Sequence, residues 1–588
     1  MANIKMYTAA HRLCLSSGYS ADLIKLYKNH GCQWHPVHSI WTRAMDGCHR
    51  LIQALEQSKH RLIGVEQVWA DLEQQGAMPS WETEQVPAWV PDGLFKYQKH
   101  GVAFAARMKR ALIGDEQGLG KTAQALAAMD HLKPERLLIV APASTLENWR
   151  REAAQWLNRE TSVITIENAS KGKHAEVVIT AYDTLKTRNM GEFDGIIADE
   201  AHMIKNPQTM RHKAVVAIAD QCRYVLALSG TPIASRPKDL WGIARLVIGK
   251  DGCPTFRDFT RRYCQGHDQG GHWWANGASN LGALNRFFRS FSIRRTKAEV
   301  MPDLPEKTHQ LVWIDEDHKT SHTEARIIGL IHRHGSVDAV MDHLGVDGRR
   351  KLQADAIVEY HQNAAIKAGM KPFLEHIENV IGQDDEKTLI FCDHHEMMEV
   401  MITICNNAKV DHIRIDGNVK TAKRQPLIDR LNEAPGPMVG ILSMGAASTG
   451  LNIQAATRVI FAELPWSPSQ VSQAEARAHR IGQRNCVNVQ SIIATGFDDL
   501  LQSVLLTKAG VIGAAVDGGS GQSEEMGNAR AMVEAVWNRL ETSGQLPAQR
   551  RVDQTANRGR PRRSQFADEQ KAPSKMAYIE RSMVGELP

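Results

Sequence analysis

Ala111-Leu112-Ile113-Gly114-Asp115-Glu116-Gln117-Gly118-Leu119-Gly120-Lys121-Thr122 is the stretch on which the reading of this chain turns. Three apolar residues predict a buried strand, the glycine-rich turn follows at once, and Thr122 to Met129 has the composition of a helix. Strand, loop and helix in that order make the setting a phosphate-binding loop needs. Glycines let backbone N–H groups turn toward phosphates, and the helix N-terminus adds favourable partial charge. Lys121 is placed to reach the β- and γ-phosphates, and the Thr122 hydroxyl to ligate Mg²⁺. Asp115, Gly118, Leu119, Gly120, Lys121 and Thr122 are thus the expected contacts to ATP. The strict pattern opens on glycine where this chain has Asp115. Upstream, Phe95-Lys96-Tyr97-Gln98 precedes the strand, with Gln98 expected at the adenine edge.

Three more strings extend the site. Asp199-Glu200-Ala201-His202 follows the apolar run Ile196 to Ala198. Alone, an acidic pair after a strand is commonly a solvated loop. Downstream of a phosphate loop it reads as Asp199 holding Mg²⁺ and Glu200 orienting and deprotonating the attacking water. Ser229-Gly230-Thr231-Pro232 follows Tyr224 to Leu228, and Ser229 and Thr231, with Gly450 further on, are expected to couple phosphate to motion. In Gln473-Ala474-Glu475-Ala476-Arg477-Ala478-His479-Arg480, a helix would put Arg477 and Arg480 one turn apart on one face, where arginine fingers meet a γ-phosphate. By itself that segment reads as a solvated basic helix. Gln473 joins the expected nucleotide contacts.

The surrounding pattern sets the fold class. Short apolar runs alternate with helical stretches at residues 111–113, 137–140, 177–179, 196–198 and 224–228, then at 389–391, 413–415, 438–442, 459–461 and 487–493. Buried parallel strands with crossover helices read this way, so the expected fold is α/β with two RecA-like parallel-sheet lobes and helical insertions. The expected boundaries are a small α+β module at 1–58, a connector at 59–92, lobe one with a helical protrusion at 93–312, a helical insertion at 313–380, lobe two at 381–515, and a flexible basic tail with one helix at 516–588. In the first module Ser20 caps a helix with Leu23, Leu26 and Tyr27 on one face, and two aromatic runs around Pro36 predict a hairpin.

Composition narrows the classes. The 588 residues exceed one core, and 43% hydrophobic with 23% charged content is ordinary for a globular chain. A net charge of +5 permits a nucleic-acid partner without requiring one. Nine cysteines with no C-x-x-C pair argue against zinc ribbons and disulfide frameworks. No signal segment or membrane span is expected, so a cytoplasmic setting, or a nuclear one where the host has a nucleus, is anticipated.

Taken in order, G-D-E-Q-G-L-G-K-T, D-E-A-H, L-S-G-T-P and R-A-H-R-I-G-Q resemble the Swi/Snf-type branch of superfamily II helicase-like ATPases, from Phe95 to Thr507. Gly230 to Leu240, Arg262-Tyr263-Cys264, Ser279 to Gly282, Ile293 to Lys297 and Glu463 to Pro468 are similar to its annealing-helicase, HARP-like sub-branch. Gly31-Cys32-Gln33-Trp34 and Trp41-Thr42 are similar to a HARP-type substrate-recognition domain. The resemblance implies ATP-driven translocation on double-stranded or branched DNA with remodelling or annealing. A monomer is expected, working beside single-strand-binding, replication or repair proteins. An ATP-gated DNA clamp and a strand-separating RNA or DNA helicase are the alternatives. Gln117 stands where methionine is usual, Ala476 where an acidic residue is common, and Gly445 where many relatives carry lysine.

Expected DNA grips are Ser144, Asn148, Trp149 and Lys205 in lobe one, and Ser448, Thr449 and Trp466 in lobe two. Trp149 shares a helical face with Leu146, Ala153 and Trp156, so core packing fits it equally. Trp466, between prolines, has packing as its bland reading. In the tail, Arg558-Gly559-Arg560-Pro561 resembles an AT-hook, whose arginines lie in a narrow minor groove; a basic tail without groove preference is the other reading.

Overall fold

The computed structural model describes residues 3–9, 12–17, 20–30, 32–35, 40–44, 49–56, 60–64, 68, 86–157, 159, 161–164, 175–185, 191–269, 271–314, 320–382, 386–447, 451–518 and 528–546. The sites expected at Ser448, Thr449, Gly450, Arg558 and Arg560 lie outside these residues, as does the R-G-R-P segment. Contacts divide the chain into two units, one comprising Met1–Gln85 with Ala548–Pro588 and the other Val86–Pro547.

In the first unit, β1 (Asn3–Ala9), β2 (Arg12–Ser17), β3 (Gln33–His35), β4 (Ile40–Ala44) and β5 (Arg61–Ile63) form one sheet in the order β3-β4-β2-β1-β5. The hairpin expected around Pro36 is the antiparallel β3–β4 pair, with Trp34 opposite Trp41. Ser20 caps the helix Ala21–Asn29, and Leu23 and Tyr27 are its buried face. One boundary moves: β5 pairs in parallel with β1, so the sheet recruits Arg61–Ile63 from the stretch read as connector.

In the second unit, β6 (Arg110–Ile113), β7 (Leu137–Ala141), β8 (Thr161–Ile164), β9 (Val177–Ala181), β10 (Gly195–Ala198), β11 (Tyr224–Leu228) and β14 (Ser292–Ile293) build lobe one. Their order is β14-β6-β11-β10-β7-β9-β8, every neighbouring pair parallel. Between β11 and β14, β12 (His267–Gln269) and β13 (His272–Trp274) make a small antiparallel hairpin in the helical protrusion. Every residue of β7, β9, β10 and β11 is buried. Alternate side chains serve opposite faces: Leu138, Val140, Val178 and Ile196 enter one core, and Leu137, Ile139, Val177 and Ile197 the other. A strand covered by helices on both sides therefore reads as an unbroken apolar run.

Lobe two holds β15 (Lys307–Trp313), β16 (Lys387–Cys392), β17 (Asp411–Ile415), β18 (Met438–Ser443), β19 (Arg458–Phe461) and β20 (Val487–Ile493). They lie in the order β15-β20-β19-β16-β18-β17, again all parallel. This corrects the expected limit of lobe one at 312. Lys307–Trp313 pairs residue by residue with Val487–Ile493, so the chain changes lobe before Lys307. The mostly exposed faces of β15 hid it from the apolar-run reading.

Two helices correct the expected C-terminal organisation. Gly496–Val516 is long and apolar enough, by length and composition, to cross a membrane. Here it serves two cores: Phe497, Leu500, Leu501, Val504 and Leu505 pack in lobe two, while Val511, Ala514, Ala515 and Val516 pack in lobe one. A helix buried in succession by two bodies is apolar around much of its girth. The helix expected at Ala529–Leu540 spans Asn528–Thr542, and it is no loose appendage, because Met532, Val533, Val536 and Leu540 lie in the lobe-two core.

Candidate functional site

The loop begins where β6 ends. Gly118 has φ +85° and Gly120, the N-cap of the helix Lys121–Leu132, has φ +69°. That φ favours glycine at 120, and a Cβ there would also displace the Gln98 amide, whose Nε2 would lie 2.4 Å away. Gln98, expected at the adenine edge, is buried and turned onto the loop: its Nε2 donates to Leu119 O at 3.2 Å and its Oε1 accepts from Phe95 N at 3.0 Å. Tyr97 Oη donates to the same Leu119 carbonyl at 3.1 Å. Lys121 Nζ donates to Asp115 O at 2.9 Å and Glu116 O at 3.2 Å.

Asp115 requires a correction. Its carboxylate is fully buried and engaged by side chains of the protein. Arg295 grips it through Nε at 2.9 Å and Nη2 at 2.5 Å, and Gln124 Nε2 donates to it at 3.0 Å. Arg295 also donates to Tyr97 O and Gln124 Oε1. Glycine is absent at this position because the chain uses it for a buried ion pair that shapes the loop from below.

The acidic pair stands at the end of β10. Trp149 Nε1 donates to Asp199 Oδ2 at 2.8 Å, and Asp199 Oδ1 accepts from Glu200 N at 2.9 Å. Trp149 is 1% exposed, so the DNA grip expected there is corrected to a core residue that holds Asp199. Glu200 has φ +46°, a conformation uncommon for a residue with a side chain, and it turns the two carboxylates side by side. Burial and the Glu200 charge push the Asp199 carboxyl up to about 6. Burial also raises Glu200, but His202, Lys121 and Arg477 outweigh it and hold that carboxyl below its ordinary value. His202 Nδ1 lies 3.2 Å from Glu200 Oε2 and 3.4 Å from Ser229 Oγ. Two half-buried, mutually repelling carboxylates beside a hydroxyl-bearing loop suit a divalent cation.

Ser229 Oγ accepts from Thr231 N at 3.3 Å. A Cβ on Gly230 would meet Gln117 Cγ at 2.4 Å and Lys121 Nζ at 3.2 Å, so the Ser229–Thr231 turn rests directly on the loop. From lobe two, the helix Pro468–Ala478 carries Arg477 into the cleft. Arg477 Nε donates to Gln473 O at 3.1 Å and Nη1 to Leu451 O at 3.3 Å, which anchors it without an acidic neighbour at Ala476. Gln473 is buried and takes part through this carbonyl. Burial and the neighbouring Arg480 lower Arg477 to about 10, while Glu200 opposes them. Arg480 is not on the same helix: the last helical bond ends at His479, and Arg480 occupies the turn before Gly482, where φ is +96°. That turn brings Arg480 against the loop, with its Cβ 3.1 Å from where a Cβ on Gly118 would stand.

Three positioning residues carried no role in the sequence reading. Arg295 is described above. Arg294 Nη1 donates to both Gly114 O and Gly230 O at 2.9 Å, joining the ends of two strands, and its Nε meets Asp517 Oδ1 at 2.9 Å. Lys297 Nζ donates to His479 O at 2.6 Å and lies 3.5 Å from Glu116. The visible signal was the basic string at 294–297, but no spacing rule links it to a loop 180 residues away.

Of the remaining expected DNA contacts, Ser144 lies half-buried in the single turn Ala143–Thr145, Asn148 is exposed at the start of the helix Leu146–Trp156, and the partly exposed Lys205 lies 3.9 Å from Asp239. Trp466 is corrected to a packing residue, its ring 5.7 Å from Tyr360 and 6.1 Å from Phe497.

The chain matches the SNF2-related domain over residues 97–338 and the helicase conserved C-terminal domain over residues 373–482. It is 30% identical over 527 residues to the SWI/SNF-related matrix-associated actin-dependent regulator of chromatin subfamily A-like protein 1 of Xenopus tropicalis, covering 86% of this chain and 55% of that protein. With the protein of the same name from Drosophila melanogaster it shares 33% identity over 433 residues, 72% of this chain and 56% of the relative. With the DNA annealing helicase and endonuclease ZRANB3 of Homo sapiens it shares 32% over 468 residues, 74% of this chain and 42% of the relative. The chain thus spans about half the length of the curated relatives it matches. With both domains present in tandem and the loop, acidic pair and arginine pair on facing lobes, the chain belongs to the Swi/Snf-type branch of helicase-like proteins, among the relatives of the annealing helicases.

Proposed function

We propose that this protein is a DNA-dependent ATPase that tracks on double-stranded DNA and remodels or anneals branched structures. The observation that carries the reading is the meeting of Lys121, Asp199 and Glu200 of lobe one with Arg477 and Arg480 of lobe two, Arg480 lying against Gly118. ATP would occupy the loop with its phosphates on the N-terminus of Lys121–Leu132. Lys121, Arg477 and Arg480 would balance charge on the transferred phosphoryl group, and Glu200 would orient water and accept its proton. Thr122 and Asp199 would hold Mg²⁺, which neutralises phosphate charge.

Because the arginines come from the second lobe, nucleotide turnover and lobe movement are one event. Ser144, Asn148 and Lys205 on lobe one and Ser448 and Thr449 on lobe two are the proposed grips that convert this movement into steps along a strand. Arg558 and Arg560 would add salt-sensitive affinity. The annealing-helicase relatives favour remodelling over strand separation. Displacement of a third strand from a triplex tests translocation. The wild type should displace it with ATP, and Glu200→Gln should bind the triplex without displacing it. Duplex-stimulated hydrolysis without displacement by the wild type would leave a clamp and remove the motor.

A further inference from the structure

The phosphate loop and the arginine string face one another across a cavity of about 230 Å³. Lobe one lines it with Glu116, Gln117 and Thr231, and lobe two with Glu475 and His479. The charges around it are already matched. Lys297 Nζ lies 3.5 Å from Glu116 Oε1, Lys307 Nζ donates to Glu475 Oε2 at 2.6 Å, and Arg294 Nε meets Asp517 Oδ1 at 2.9 Å. What stays unmatched is a set of hydrogen-bonding atoms.

Gln117 is 7% exposed, and among the described residues neither atom of its amide has a hydrogen-bond partner. Its stem is fixed against the Ser229–Thr231 turn, since a Cβ on Gly230 would lie 2.4 Å from Gln117 Cγ. The Thr231 hydroxyl is likewise without a partner. On the facing lobe Glu475 is buried and spends Oε2 on Lys307. Its Oε1 makes no hydrogen bond, with His309 Nδ1 standing off at 3.6 Å. His479 Nε2 donates to Pro305 O at 2.9 Å, which leaves Nδ1 as an acceptor, also without a partner. The unmade bonds are complementary. The Gln117 amide nitrogen carries two N–H donors, Glu475 Oε1 and His479 Nδ1 accept, and the Thr231 hydroxyl can donate to Gln117 Oε1. Leaving buried polar groups unpaired is costly, which favours any arrangement of the lobes that pairs them.

We propose that Gln117 is a positioning residue for hydrolysis: as the lobes draw together over nucleotide, its amide donates across this cavity to Glu475 and sets the helix Pro468–Ala478 against the phosphate loop. This rests on the ATPase reading above and deepens it, by naming a residue that acts on the reaction through Arg477. Glu475 and Arg477 stand two positions apart on that helix, on roughly opposite faces. A bond on the cavity face therefore fixes the arginine on the other. Methionine, the residue usual at this place in the loop, fills the same space and makes no such bond. The cavity is the distance the lobes have still to close.

The test uses the full chain. ATP turnover is measured at saturating duplex and nucleotide affinity without DNA, with melting as the check on folding. Gln117→Met keeps the packing on Gly230 and removes the amide. It should lower kcat roughly tenfold with nucleotide affinity and melting unchanged, because the lost bond is made only as the lobes close. A swap across the cavity is the sharper arm. Gln117→Glu sets two carboxylates face to face and should fall below Gln117→Met. Adding Glu475→Gln puts an amide opposite a carboxylate again, with the roles reversed, and should return kcat to within about threefold of wild type. If Gln117→Met melts early, the isosteric swap decides by itself. Wild-type kcat in Gln117→Met, or weakened nucleotide binding with kcat unchanged, would overturn the proposal and leave the ATPase reading intact. So would a swapped double variant no faster than Gln117→Glu alone. A wild type whose hydrolysis is indifferent to duplex would fail the parent reading instead.

Discussion

Asp115 and Trp149 show what a single side chain contributes to this site. Both were expected to touch a ligand, and both are buried supports for residues that would. Removing one member of a buried, hydrogen-bonded ion pair strands the other charge, which costs about 3–5 kcal/mol. Arg295→Met should therefore destabilise the second unit by about that amount in denaturant titration, since Asp115 keeps no other cationic partner at hydrogen-bond distance among the described residues. Stability equal to wild type would show that the pair is dispensable. Trp149→Phe keeps the ring packing and removes the donor to Asp199. It should lower kcat with melting changed little, because an unsupported Asp199 loses its orientation, whereas unchanged turnover would make Trp149 core alone. The sequence contained both residues in plain view. Their roles were not legible because a partner 180 or 50 positions away is fixed by sheet register, which no local pattern encodes.

At the scale of elements, strands buried on both faces were legible and those exposed on one side were not. β7, β9, β10 and β11 appear as apolar runs because helices cover both their faces. β15 carries exposed residues along most of its length, so only its pairing with β20 reveals its lobe. The helix Gly496–Val516 is the element with the largest consequence. Asn285 Nδ2 donates to Ala515 O at 3.2 Å and Val516 O at 2.9 Å, fastening the helix end to lobe one. Leaving buried carbonyls unsatisfied costs about 1–3 kcal/mol each. Asn285→Leu should free this end, raising amide exchange at residues 511–518 ahead of the remainder of the helix. Uniform exchange along the whole helix would contradict two-core anchoring. Deleting the chain from Asn528 onward should expose the lobe-two core around Met532 and Val536 and promote aggregation; a soluble product with the same melting profile would show the helix to be peripheral.

Across the molecule, three of the four strings follow strands of one parallel sheet, which gathers its loops at one edge, and the arginine string lies on the helix Pro468–Ala478 of lobe two. The angle between expectation and structure lies in how the lobes are joined. Two ties cross the cleft close to the nucleotide loop, Lys297 to His479 O and Ser467 to Ala234 O, while Arg294 holds Asp517 at the lobe-one end of the joining helix. Arg294 and Lys297 both belong to the basic string after β14. Lys297 also lies 3.5 Å from Glu116 of the loop, so contact between the lobes and the shape of the loop are linked.

The central claim is that hydrolysis needs arginine from lobe two and is driven by duplex DNA. The most direct measurement is ATP turnover with and without duplex, for the wild type and for Arg480→Ala, with nucleotide binding followed in parallel. The account predicts strong duplex stimulation of the wild type. It also predicts a loss of kcat on the order of a thousandfold in Arg480→Ala with nucleotide still bound. Wild-type turnover indifferent to duplex, or an Arg480→Ala protein that hydrolyses ATP at the wild-type rate, would contradict it.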